Sequence, residues 1–357
     1  MVRLGAFSTF DGQKTDDVAN SPMGLIEVKV VTCEEAYVRQ ALSATGRDKS
    51  MFDHETELEI GLASGMRVRI DPKGARLTSL VLPGADGPVE ILIGPDPGET
   101  ARSFHGATIG RYSNRIAGGR FTLDGEQFQL DTNENGNCLH GGGQGFDQRD
   151  WTVVAHWINA VALRLESRDG DQGFPGNLVA EASFALSDPA TLTITYRARC
   201  DRACPVSLTS HGYFNLAGGG SIADHRLKIN ADQVLEIDSE SLPVGAPRDV
   251  AGTRFDFRDS APVPGPDGAG FDHNFCLRPG AMREIAALND PASGRSMTML
   301  SNQPGLQVYT SPSGDSFNAI CLEPQAWPDA PNHPEYPSAI LQPGKEYVNR
   351  IRLQFSG

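Results

Sequence analysis

The sequence is short of several things at once. Six cysteines (33, 138, 200, 204, 276 and 321) are spread over 357 residues, too thinly for a disulfide scaffold. Cys200 and Cys204 form a C-x3-C pair with no second pair and no nearby histidine, so structural thiols are the better reading than a metal site. No apolar run reaches membrane-spanning length. The opening MVRLGAFSTFDGQKTDD has no uninterrupted apolar stretch for a signal-peptide core. A reducing cytoplasm is therefore the expected compartment. Positive charge is scarce as well: the formal net charge is −14, and the arginines of GRYSNR (110–115) are too sparse to track a phosphate backbone. Nucleic acid and anionic membranes are thus not expected partners. GxGxxG, Walker, GxSxG, HExxH and EF-hand patterns are all missing, so nucleotide, NAD and zinc-hydrolase chemistry have nothing to stand on. No metal is expected.

What is present is mostly strand. Residues 1–55 read as a separate extension, with a strand in LIEVKVV (25–31) and a capped helix in CEEAYVRQALSA. From 56 to 357 the long helical periodicities vanish. MRVRI (66–70) and ARLTSLVL (75–82) alternate, and FTLDGEQFQL (121–130) is a hairpin around Asp-Gly. VALRLESR, LVAEASFAL and LTITYRAR follow, joined by the turn-rich GDQGFPGN and SDPA. RLKINADQVLEID (226–238), SMTMLSN (296–302) and GLQVYTS (305–311) continue the series. With 39 glycines, 24 prolines and no fixed-period repeat, the chain is expected to be all-β. Its main part, 56–357, is one large antiparallel sandwich or barrel rather than a propeller.

Six stretches carry more polar and glycine residues than turns alone need. GATIGRYSNRIAGG (106–119) sets Arg111, Asn114 and Arg115 among glycines, where backbone and guanidinium can approach a ligand closely. NCLHGGGQGFD (137–147) holds His140, and PVSLTSHGYFNLAGGG (205–220) puts His211 at a strand end beside Tyr213 and Phe214. GFDHNFCL (270–277) carries Asp272 between aromatics and reads otherwise as an Asx-rich turn. Gln307 lies inside a strand pattern and needs partners if buried. CLEPQAWPDAPNHPEYP (321–337) is too rich in proline for a helix or a central strand, and sets Glu323 just after the apolar run Ile320-Cys321-Leu322. The acid/base candidates are His140, His211, Asp272 and Glu323.

Taken in order, NRIAGGRFTLDGEQFQL, LHGGGQGFD, GDQGFPGN, LTSHGYFNLAG, GFDHNFCL, QPGLQVYT and LEPQAWPDAPNHPEYPSAILQPGKEY resemble the aldose 1-epimerases, the galactose mutarotases, from about residue 57 to the C-terminus. The resemblance implies a galactose mutarotase-like β-supersandwich with a sugar-binding cleft. It also implies interconversion of the α and β anomers of a free sugar, without cofactor. Carried over by motif, Glu323 is the base on the C1 hydroxyl and His211, as imidazolium, the acid on the ring oxygen. Asn114, Arg115, His140, Asp272 and Gln307 grip the sugar, with Asp272 helping to keep His211 charged. Beyond the motifs, Trp327 or Phe214 is expected to offer an apolar surface to the sugar, and the proline loop is expected to pin Glu323 at the cleft rim. The chain departs from the family at Ser210, where Asn is common, at Pro324, where Thr is frequent, and in residues 94–110. These departures bear on the sugar preferred. A sugar-binding or sensing protein and a hexose-phosphate 1-epimerase remain as alternatives. A monomer or a homodimer is equally compatible.

Overall fold

The computed structural model describes residues 57–95, 103–264, 268–278, 280–314 and 316–357. The β–α unit expected within 1–55 lies outside them. Among the described residues the helical elements are single turns of three residues, and the rest of the regular structure is strand. Two antiparallel sheets dominate. The larger has nine strands, in the order Thr152–His156, Ala160–Ser167, Leu178–Ser187, Thr191–Cys200, Tyr347–Ser356, Ser296–Ser301, Arg283–Asn289, Arg226–Ile229 and Ala261–Pro262. The smaller has six: Tyr213–Phe214, Ser316–Gln325, Gly305–Ser313, Asp272–Leu277, Ala231–Val234 and Arg248–Asp249.

Alternation explains how the sheets pack. In Leu178–Ser187 every second side chain is buried along the whole strand, as the two-residue period of a pleated strand requires. Leu163, Phe184, Ile194 and Ile351 of the large sheet share one core cluster with Phe275, Leu306, Val308, Ile320 and Leu322 of the small one. The sheets therefore face each other across a common apolar layer, the arrangement of a sandwich.

Most of the expected strands form, including the 120–129 hairpin, whose Asp124 and Gly125 both take positive φ (53° and 80°). Three readings are corrected. RLKINADQVLEID is not one strand: Arg226–Ile229 lies in the large sheet and Ala231–Val234 in the small one. Between them Asn230 bonds through its backbone to Ile285 O and through its side chain to Glu284 O, which ends one ladder before the next begins. Asp272 opens the strand Asp272–Leu277 rather than sitting in an Asx turn. Finally, Glu323, Pro324 and Gln325 are the last residues of an inner strand, Ser316–Gln325. A proline is accommodated there because the neighbour Tyr213–Phe214 reaches only Cys321, so beyond it one flank alone remains paired.

Candidate active site

The outer face of the small sheet is largely buried as well, apolar around Tyr213, Ala319 and Cys321 but polar around Gln307 and Glu323. Because side chains alternate, Leu306 and Val308 enter the core while Gln307 and Tyr309 point the other way. Cross-strand register sets Gln307 beside both Glu323 and Asn274, and Tyr309 beside Cys321 and Asp272. His211 lies just past the short strand Thr209–Ser210, two residues before Tyr213, whose Cα partner is Cys321. It thus arrives next to Glu323, with its Nε2 3.6 Å from Glu323 Oε1.

The residues singled out in the sequence close into a ring of neighbours. From Glu323 the ring passes by register to Gln307, whose Nε2 donates to Asp272 Oδ1 at 2.6 Å. Asp272 Oδ2 lies 3.6 Å from Arg115 Nη1. The backbone N–H of Arg115 donates to Asn114 Oδ1 at 2.9 Å, and that of Asn114 to His140 Nδ1 at 3.1 Å. The His140 ring stands edge-on to His211 at 5.4 Å, completing the circuit. Because His140 Nδ1 is an acceptor, the network assigns its proton to Nε2.

Local backbone geometry makes the circuit possible. Asn114 and His140 both take positive φ (65° and 54°) where the two-residue strands Arg115–Ile116 and Cys138–Leu139 pair. Gly141, at φ 84°, passes so close to Gly110 that a Cβ would lie 2.0 Å from its carbonyl oxygen, so no larger residue fits.

Burial sets the electrostatics. His211 is 6% exposed and Glu323 2%, so Glu323 is on the floor of the site and not at its rim. Burial lifts the Glu323 carboxyl well above the usual 4.5; the charge of Asp272 adds to this and Arg115 opposes it. Burial pushes the His211 imidazole down from 6.5 to about 3, with the charges of His105 and Arg76 acting in the same direction. The expectation that Asp272 keeps His211 charged is thus corrected: Asp272 acts on Glu323, and burial leaves the imidazole neutral near pH 7. Arg115 also loses by burial, but its bonds to Glu134 and its closeness to Asp272 outweigh this and hold it charged.

Two further readings change. Arg111 is no ligand group: it is buried, and its guanidinium donates five hydrogen bonds to Pro175 O, Gly176 O, Arg168 O and the backbone and hydroxyl oxygens of Ser167. Phe214 belongs to the apolar core, whereas Tyr213 faces the site and stacks on His211 at 5.1 Å. The ring that sequence reasoning missed is Phe104, which lies parallel to His211 at 5.9 Å and edge-on to His140 at 4.7 Å. It stands in the very 94–110 stretch that departs from the family pattern. Glu134 was missed too, as was Gln325; the side-chain amides of Gln325 and Asn274 are buried on the same face with no hydrogen-bond partner among the described residues. Both lie by Gly305, where a Cβ would come 2.5 Å from Asn274 Oδ1. Such a face suits a small molecule rich in hydroxyls, which can satisfy donors and acceptors together.

Comparison with known proteins adds to this picture. The family model "Aldose 1-epimerase" matches residues 57–354. The chain is similar to the aldose 1-epimerase of Escherichia coli K12, with 39% identity over 321 residues, 82% of this chain and 92% of the relative. It is similar to the galactose mutarotase of Homo sapiens, with 37% identity over 318 residues, covering 82% and 91% respectively. Among solved structures, the aldose epimerase homologue from C. elegans superposes with a TM-score of 0.79 at 28% identity, covering 84% of this chain and 98% of that one.

Proposed function

The chain belongs to the aldose 1-epimerase family of carbohydrate isomerases, and from that premise we propose that it interconverts the α and β anomers of a free aldose, with Glu323 as base and His211 as acid. In one direction the carboxylate takes the proton of the C1 hydroxyl, the C1–O5 bond breaks and the imidazolium protonates O5. The aldehyde turns about C1–C2, and ring closure on the other face returns both protons. No electron leaves the sugar and no group is transferred.

One observation carries this reading: the two groups come from separate segments yet lie 3.6 Å apart on one buried face. O1 and O5 share the anomeric carbon, so an acid and a base that serve them in one event must themselves be close neighbours. Because burial disfavours the ion pair, the free site favours neutral imidazole and carboxyl. The working pair is one proton transfer away, and in it the base has a raised pKa and the acid a lowered one. Asn114, Arg115, His140, Asp272 and Gln307 hold the remaining hydroxyls, and Phe104 and Tyr213 flank the acid.

Polarimetry on freshly dissolved α-glucose and α-galactose tests the proposal. The protein should speed the approach to equilibrium rotation. No acceleration across a broad panel of aldoses would leave a sugar-binding protein without turnover.

A further inference from the structure

Arg115 is the cation of the site nearest the sugar-gripping groups, and it is not available as a free charge. Glu134 takes it in a two-pronged grip: Arg115 Nε donates to Oε2 at 2.6 Å and Nη2 to Oε1 at 2.9 Å. On its other side Nη1 lies 3.6 Å from Asp272 Oδ2. Its side chain is 11% exposed, and those of Glu134 and Asp272 29% and 33%, so water screens these contacts only in part. Two carboxylates around one guanidinium leave this corner net negative.

Glu134 is itself held firmly. Asn135 and Gly136 make a tight turn with positive φ (48° and 82°), the Asn-Gly chemistry of a two-residue loop. The N–H of Glu134 donates to Asn137 O, and the N–H of Asn137 returns to Glu134 O at 2.7 Å. The Asn137 side chain accepts from Gly118 N–H at 2.8 Å and donates to Glu240 at 3.0 Å. These bonds hold the backbone of Glu134, and from that anchored position its two-pronged carboxylate restrains both the position and the plane of the guanidinium.

We infer that Glu134 is a positioning and selectivity residue, holding Arg115 in place for sugar hydroxyls while cancelling its charge, so that the site accepts uncharged aldoses and refuses phosphorylated ones. The inference rests on the sugar-site reading above and adds the charge class of the substrate. A phosphate group brings nearly two negative charges and seeks an arginine with both prongs free. Here the Nε–Nη2 edge is taken by Glu134 and Nη1 faces Asp272, and these two carboxylates repel the anion.

The test uses the full chain with Glu134→Gln and Glu134→Asp, whose folding is checked by thermal melting. Rates are followed by polarimetry with and without inorganic phosphate, and phosphate binding is measured directly by calorimetry. Glu134→Gln should raise KM roughly tenfold, as loss of a charge-assisted pair predicts, with a much smaller fall in kcat. It should also gain competitive inhibition by phosphate that the unmodified protein lacks. Glu134→Asp, which keeps the charge but shortens the reach, should raise KM while still excluding phosphate. A wild-type KM together with phosphate indifference in Glu134→Gln would overturn the inference. Should that variant fail to fold, an unchanged KM in Glu134→Asp does the same. If the unmodified protein turns over no aldose, the proposed function fails. Calorimetry then still decides on Glu134, since absence of phosphate binding by Glu134→Gln overturns its charge-cancelling role.

Discussion

The carboxyl of Glu323 and the imidazole of His211 are pushed in opposite directions by one cause, their removal from water. In the charged forms that the proposed reaction would use, this makes the carboxylate a stronger base and the imidazolium a stronger acid than either is in solution. Each positioned proton-transfer group typically contributes roughly 10²–10⁴ in rate. Glu323→Gln and His211→Asn should therefore each lower kcat by about that factor, with melting temperature and circular dichroism showing an intact fold. Arg115→Ala should act mainly on KM, since its bonded partners are Glu134 and Asp272 and not the proposed acid and base. Near-normal polarimetric turnover in Glu323→Gln would remove the carboxylate from the mechanism. A fall in Arg115→Ala confined to kcat would move Arg115 into it.

At the scale of elements, the site depends on two chain segments being clamped end to end. Asn349, fully buried on the last strand Tyr347–Ser356 of the large sheet, donates from one amide to Leu208 O at 2.8 Å and to Pro324 O at 2.7 Å. Leu208 lies three residues before His211, and Pro324 directly follows Glu323. The amide thus ties together the segments that carry His211 and Glu323, the proposed acid and base, from behind. Asn349→Ala leaves Pro324 O unpaired in the interior, and each such group costs about 1–3 kcal/mol. The variant should melt at a clearly lower temperature and lose kcat more than KM. Unchanged kcat in a folded Asn349→Ala would show that the spacing is held elsewhere. None of this was legible in the sequence. Long alternating strands such as Leu178–Ser187 announce themselves because one face is buried and the other wet. REIAALN and the residues up to Gln325 do not, the latter because both faces of the strand end are buried and its proline argues against a strand. The site residues were reached through short motifs, which name groups but not their supports. Asn349 is 141 positions from Leu208, and Phe104 is far along the chain from the His140 it meets. Glu134 did leave a signal, the Asn-Gly turn at 135–136, a fixed point from which an acidic neighbour can reach inward.

For the molecule as a whole, the site is a place where function opposes stability. In the unfolded chain Glu323 ionises near its ordinary 4.5, whereas in the fold burial holds its proton to much higher pH. The folded state therefore binds more protons than the unfolded one above pH 4.5, and by linkage stability falls as pH rises from there until the folded-state pKa is passed. His211 acts at the other end. Its folded pKa of about 3 lies below the ordinary 6.5, so its contribution is present above pH 6.5 and is lost as pH falls toward 3. Glu323→Gln keeps the shape of the side chain and removes the first effect alone. Its melting temperature should match that of the unmodified protein near pH 4.5 and exceed it increasingly toward pH 8. Between pH 4.5 and 6.5 the Glu323 and His211 effects oppose each other in the unmodified protein, so its stability changes little, whereas Glu323→Gln, left with the His211 effect alone, loses stability as pH falls. His211→Asn should lack that acid limb and, with the Glu323 effect left alone, gain stability as pH falls to 4.5. Melting curves recorded across pH 4 to 8 decide the matter. A Glu323→Gln variant that is less stable at pH 8 than at pH 4.5, relative to the unmodified protein, would mean that the buried carboxylate is fully compensated by its neighbours and that the fold bears no cost for holding its base out of water.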